Sequence, residues 1–249
     1  MRAFFNTVFY LPLYNALVWL SAILPGHSLA LAIIVLTIIV RLILFPLQHS
    51  MSHTQRKLRE LDGTIKGIKE KHSKDNAEQA KQIMLLYKEH GINPFAGFLV
   101  LIIQLPILLA LYWVALVGAN FDPNLLYNFV LNVFKPELID PSLFGLIDVT
   151  KVSYVLAILV GVSQFIQVSL TLPPPLPNQV DKTSLKDSFA RSMRVQMKYV
   201  LPVFVILIAT QLPAAVSIYW LTSNLFSVGH ELYVNRKAKT LTAGPKTTG

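Results

Sequence analysis

Cysteine is absent from the 249 residues, which excludes disulfides, thiolate metal sites and lipid anchors on cysteine. Charge is almost as scarce, at 14% of residues against roughly 25% in a soluble domain. Signatures of common chemistry are missing too: no HExxH, no GxSxG elbow, no Walker loop and no GxGxxG run occurs. His49 and His53 stand at i, i+4 and could share a metal, but no third ligand accompanies them, so they read as an exposed helix face. No catalytic residue, metal or cofactor is expected, and the chain does not read as an enzyme.

What fills the space is apolar. Hydrophobic residues make up 53% and the mean hydropathy is +0.53, which predicts an all-α polytopic membrane protein, since helices satisfy their own backbone in lipid. Long apolar stretches cover about 28–47, 95–118, 152–171, 197–210 and 212–230. The net charge of +9 resembles a nucleic-acid signature, but here it tracks the loops, and no specific nucleic-acid partner is expected. Residues 48–94 carry nine Lys/Arg, 172–198 carry five and the tail four, while 119–150 holds only Lys135 against four acids. The positive-inside rule then puts 48–94, 172–198 and the tail in the cytoplasm and 119–150 outside.

That assignment resolves residues 199–229, an uncharged stretch with two basic flanks, which must therefore go out and return, reversing near Gln211 and Pro213. The spans number five, with the N-terminus outside and the C-terminus inside. Residues 3–24 could be a signal, an extra span or an external interfacial helix anchored by Trp19 and Tyr14; the odd count favours the last. The expected organisation is an external helix over 1–27, a first span over 28–47, a cytoplasmic hairpin over 48–94, four more spans within 95–232, and a basic tail over 233–249. In the hairpin, Leu58, Leu61, Ile65 and Ile68 form one seam and Ala77, Ala80, Met84 and Tyr87 the other. Asp75 with Glu78 reads as a capping box, and Gly91 ends the second arm. Gly63 and Gly67 weaken the first arm.

Polar residues inside the spans are the candidates for function. Arg41 interrupts SLALAIIVLTIIVRLILFPLQ with a charge it cannot shed, at about 2.5–3.5 kcal/mol near a helix centre. It either snorkels to the headgroups or faces a wet cavity, which Thr37 one turn earlier supports. Ser153, Gln164, Gln167 and Thr171 form a stripe on the third span; Ser217, Trp220, Asn224, Ser227 and Glu231 do so on the last, beside Tyr219 and Thr222; Gln104 and Tyr112 come from the second. Ordinary interhelical hydrogen bonding accounts for any one of them, at about 0.6 kcal/mol per contact. Together with Arg41 they suggest a shared hydrated groove.

From about Pro12 to Tyr233 the chain resembles the YidC/Oxa/Alb membrane-protein insertase family. The resemblance rests on TIIVRLILFPL around Arg41, NPFAGFLVLIIQLPILLALYW from Asn93, GVSQFIQ in the third span, and YWLTSNLFS from Tyr219 to Ser227, in that order about a basic hairpin. It implies five helices around a groove open to cytoplasm and lipid and closed outside, with Arg41 as its hallmark and Thr37, Tyr219 and Trp220 facing substrate. It also implies a hairpin, residues 49–92, that receives the client, and no nucleotide hydrolysis. Two departures stand out: no large periplasmic domain is expected, and Gly229-His230-Glu231 stands where glutamines are usual. The implied location is the plasma or inner membrane. The implied partners are nascent membrane proteins and the bilayer, with the Sec translocon, signal recognition machinery and ribosome as further candidates, though the tail is short for ribosome anchoring. A small-solute transporter or channel with Arg41 as an anion site is the rival, and a membrane scaffold a third reading. A transporter built from two repeated halves would show an internal repeat, and none is detected.

Overall fold

The computed structural model describes residues 2–73, 75–92, 106–110, 112–113, 121–171 and 195–242. The chain divides into two compact units, residues 43–104 and the remainder.

In the larger unit a short helix Arg2–Phe5 and a π turn Asn6–Tyr10 lead into α1 (Leu11–Ile23). Tyr14, expected as a headgroup anchor, is instead fully buried, and its hydroxyl accepts from the Asp122 N–H at 2.6 Å. Asn15 beside it donates to the Leu125 carbonyl at 2.9 Å and accepts from the Tyr127 N–H at 2.6 Å. These bonds fasten α1 to the loop beginning at Phe121. A buried amide left unpaired would cost about 1–3 kcal/mol, so this register is strongly specified.

The first apolar stretch forms α2 (Leu29–Ile43), shorter than the expected 28–47. Pro46 supplies no N–H for the Leu42 carbonyl, so α2 stops at Ile43 and a new helix opens at Phe45 with Pro46 in its first turn, where no N–H is required. At 1.5 Å per residue α2 is about 22 Å long, well under a roughly 30 Å hydrocarbon layer.

The smaller unit holds α3 (Phe45–Glu60), α4 (Asp62–Lys71) and α5 (Asn76–Glu89), so the expected first arm is broken at Leu61. Asp75 caps α5, accepting from the Ala77 and Glu78 N–H groups at 3.0 Å. Glu78 does not complete the box. It accepts from Gln82 at 2.8 Å and pairs with Lys81 at 3.6 Å. The seam of α5 also lies one position off the expected one: Ala77, Ala80 and Met84 are exposed, while Gln79 is buried and donates to the Lys69 carbonyl at 3.0 Å. Gly91, at φ +61°, closes α5 with an Ile92 N–H to Tyr87 carbonyl bond of 2.8 Å, as expected. Lys57 adds a cation there, 3.0 Å from the His90 carbonyl.

Beyond residue 121 a loop with a small hairpin, β1 (Ser142–Leu143) and β2 (Ile147–Asp148), precedes α6 (Tyr154–Thr171). After a π turn, Gln196–Val200, come α7 (Leu201–Ala209) and α8 (Ala214–Thr242). The expected interruption between the last two apolar segments falls at residues 210–213. Helix α6 packs against both α7 and α8. Gly161 permits the first contact: a Cβ there would collide with the Ile206 side chain and lie 3.2 Å from the Pro202 carbonyl.

Loop carbonyls satisfy the starts of two of these helices. The Leu29 N–H donates to Asp140 at 2.9 Å, Ala214 to Lys151 at 2.7 Å and Ala215 to Val149 at 2.8 Å. Since the first N–H groups of a helix have no partner within it, residues 140–151 act as a shared cap for α2 and α8. Two described helical stretches, Ala3–Ile23 and Tyr154–Thr171, are long and apolar enough to cross a membrane, by length and composition.

Candidate functional site

The polar residues of α6 and α8 meet along one seam. Asn224 donates to the Ser163 hydroxyl at 3.0 Å in a buried contact between the helices. One turn along, the Trp220 indole N–H donates to Gln164 Oε1 at 3.2 Å, and the Gln164 amide donates to Gln167 Oε1 at 3.3 Å. The Thr171 hydroxyl then donates to the Gln167 carbonyl at 2.9 Å. Spacing explains the alignment, because positions 164, 167 and 171 share a face, as do 220, 224 and 227. Asn224 is buried, whereas Gln164, Gln167 and Trp220 are half-buried and keep part of their surface accessible. The opposite face of α6 carries Val155, Ile158, Leu159, Val162 and Ile166, all exposed.

Arg41 lies in the last turn of α2, half-buried, where a cation complements the partial negative charge of the helix end. Tyr219 on α8 is buried. Thr37 is 1% exposed and donates to the Ile33 carbonyl of its own helix at 2.6 Å, so its polar demand is met locally. Gln104 lies outside the described residues. Ser153, read as part of the α6 stripe, instead caps the helix: its hydroxyl accepts from the Leu156 N–H at 3.4 Å.

Ser163 was not singled out from the sequence, although it is the direct partner of Asn224. Its only signal is a place one turn before Gln167 on the buried side of α6. The hydroxyls of Ser217 and Ser223 are also buried, without a partner among the described residues. Each such group is destabilising by about 1–3 kcal/mol in an apolar setting, so α8 is more polar than packing alone requires. Among the described residues no group of three or more His, Cys, Asp or Glu could hold a metal ion.

The sequence model of the family described as 60Kd inner membrane protein matches residues 19–241. The chain belongs to this family. It corresponds to the YidC/Oxa group that the motifs around Arg41 and Tyr219 resemble. Among family members, the membrane protein insertase YidC of Ectopseudomonas mendocina is 29% identical over 88% of this chain and 33% of its own length. The YidC of Wolinella succinogenes is 30% identical over 98% of the chain and 40% of its own length. The chain thus spans between a third and two fifths of the length of these two relatives. A solved structure described as an active YidC insertase with its first transmembrane domain resolved shares the fold. Its TM-score is 0.55 at 22% identity, over 92% of this chain and 46% of that one.

Proposed function

We propose that this family member is a membrane-protein insertase whose site is the polar seam of α6 and α8 together with Arg41. The observation that carries the reading is an arginine of fixed charge, half-buried at the end of an apolar helix, in a chain whose α6 and α8 meet along a seam of polar side chains. A polar or acidic client tail crosses hydrocarbon only at high cost. Polar side chains that reach into the bilayer shorten the apolar path, and a cation in a low-dielectric setting attracts the tail more strongly than it would in water. The client's apolar segment then leaves sideways into lipid, driven by burial at about 25 cal/mol per Å². Arg41 supplies the field, while Gln164, Gln167 and Trp220 offer the tail exchangeable hydrogen bonds. Asn224 holds the two helices in register. Thr37 and Tyr219, both buried, stand behind the same proposed groove.

The proposed setting is the plasma or inner membrane, with five spans, the N-terminus outside, and residues 48–94 and the C-terminal tail in the cytoplasm. The proposed partners are nascent membrane proteins, with the Sec translocon, signal recognition machinery and ribosome upstream.

Purified protein in liposomes, given a small client with an acidic N-terminal tail and no other factor, tests the reading. Arg41→Lys should keep most of the insertion rate, since a point charge attracts a mobile carboxylate. Arg41→Ala should slow it about tenfold, equivalent to about 1.4 kcal/mol in the barrier, and Arg41→Glu should slow it further. Neutralising the client's own acids should shrink both defects, as coupled charges require. An unchanged rate for Arg41→Ala with the acidic client would reduce Arg41 to a helix anchor.

A further inference from the structure

The hairpin between β1 and β2 presents its most apolar residues outward. Phe144 is 76% exposed and Leu146 is 86% exposed, and no charge lies between Asp140 and Asp148. The turn holds Phe144 at φ +52° and Gly145 at φ +71°, closed by a Leu146 N–H to Leu143 carbonyl bond of 3.0 Å. Positive φ is rare for a bulky side chain, so the backbone adopts an unfavourable conformation to project an aromatic ring that packs on little of the protein. Both flanking acids are engaged within the loop. Asp140 accepts from the Ser142 N–H at 2.8 Å and from its hydroxyl at 2.9 Å. Asp148 accepts from the Thr150 hydroxyl at 2.6 Å and pairs with Lys151 at 3.0 Å.

We propose that the tip of this hairpin, Phe144 and Leu146, is immersed in the outer leaflet of the bilayer, as a lipid-anchored wedge beside the bundle. The base of the hairpin fixes its height: residues 140–151 bond the first N–H groups of α2 and α8, so the loop sits at the ends of apolar helices. Continuity fixes its occupant. Past β2 the chain enters α6 through Val152, Tyr154 and Val155, all exposed and apolar or aromatic, and these run on into the exposed face at Ile158, Leu159 and Val162. In a family of inner membrane proteins that face is covered by lipid, and the same cover extends to the tip. The acids are held at the base by their own partners, so anionic headgroups meet little opposing charge at the apolar tip.

The inference rests on the proposed orientation, with residues 119–150 outside, and its test separates the two. The absence of cysteine makes Leu146→Cys a unique labelling site, and its exposure means the change removes almost no packing. A nitroxide is placed there, at Glu137→Cys as an aqueous control in the same loop, and at Val162→Cys as a lipid control. The protein is reconstituted in phosphatidylethanolamine–phosphatidylglycerol vesicles, and relaxation is measured with oxygen and with a water-soluble nickel chelate. At Leu146→Cys the ratio of oxygen to nickel access should exceed that at Glu137→Cys several-fold and approach that at Val162→Cys. Nickel access equal to that at Glu137→Cys would overturn the proposal. So would an immobilised label shielded from both reagents, which would mean a protein partner covers the tip. If the tip and lipid control report lipid but unlabelled Glu137→Cys in intact cells is reached by an impermeant thiol reagent only after lysis, the tip lies in the inner leaflet and the orientation is wrong.

Discussion

Asn224 and Ser163 form the buried polar contact that joins α6 to α8, at 3.0 Å. Asn224→Ala should lower stability by about 0.6–1.5 kcal/mol, read as a fall in thermal midpoint in detergent. Adding Ser163→Ala should cost little more, because the partner is already lost, and full additivity would mean the two side chains act separately. Asp148, in the loop before α6, gives a pH signature. The hydroxyl of Thr150, and then Lys151 and the Thr150 N–H, hold its carboxyl below the usual carboxylate range. Its stabilising effect is complete above the ordinary value near about 4 and is lost as pH falls through the lower folded value. A thermal midpoint that declines below about pH 4 should decline less steeply in Asp148→Asn. Single residues were unevenly legible. Trp220, Gln164 and Gln167 stood out because polar groups are rare in apolar runs, whereas Ser163 is too small and common to mark itself. Tyr14 read as an anchor because sequence shows an amphipathic side chain without showing that Asp122 lies above it.

The approach of α6 to α7 depends on Gly161. Gly161→Ala should destabilise the pair by about 1–3 kcal/mol as Ile206 is displaced. Gly161→Ala combined with Ile206→Ala, which removes both clashing carbons, should recover part of the loss, whereas no recovery would point to the Pro202 carbonyl as the obstruction. In the smaller unit, Asp75→Ala should cost about 1 kcal/mol of α5 stability and speed amide exchange in the first turn of that helix. Helix ends were among the more readable features of the chain, because Asp75, Gly91 and Pro213 each act through local chemistry, although Pro46 was passed over and the first span drawn through it to 47. Which face of α5 turns inward was not readable. Alanine, methionine and glutamine there tolerate either side, and the Gln79 bond to the Lys69 carbonyl needs the neighbouring helix to be known.

Across the whole molecule, class and family were legible from composition and motif order, while the five spans stay a proposal, two described helical stretches being long and apolar enough to cross a membrane. Short helices such as α2 and α7 fall below the length that identifies a span, whereas α8 runs on through the basic residues after 229 to Thr242. Single cysteines at Asn132 and Lys71 test the proposed orientation: the first should react with an impermeant thiol reagent in intact cells and the second only after lysis. Labelling of Lys71→Cys from outside would reverse it.

The shared cap also sets an order of events during synthesis. Ser28 bonds a residue 114 positions later, through its hydroxyl and the Ser142 carbonyl at 3.3 Å. At about 5–20 residues per second, the ribosome makes Ser142 roughly 6–23 seconds after Ser28. Throughout that interval the Ser28 hydroxyl can already accept from the Leu31 N–H, but the Leu29 N–H depends on water or headgroups, so this protein is itself a slow client of the membrane. Slowing elongation between residues 43 and 140 should therefore lengthen the time for which the start of α2 is open to protease, without altering the finished fold.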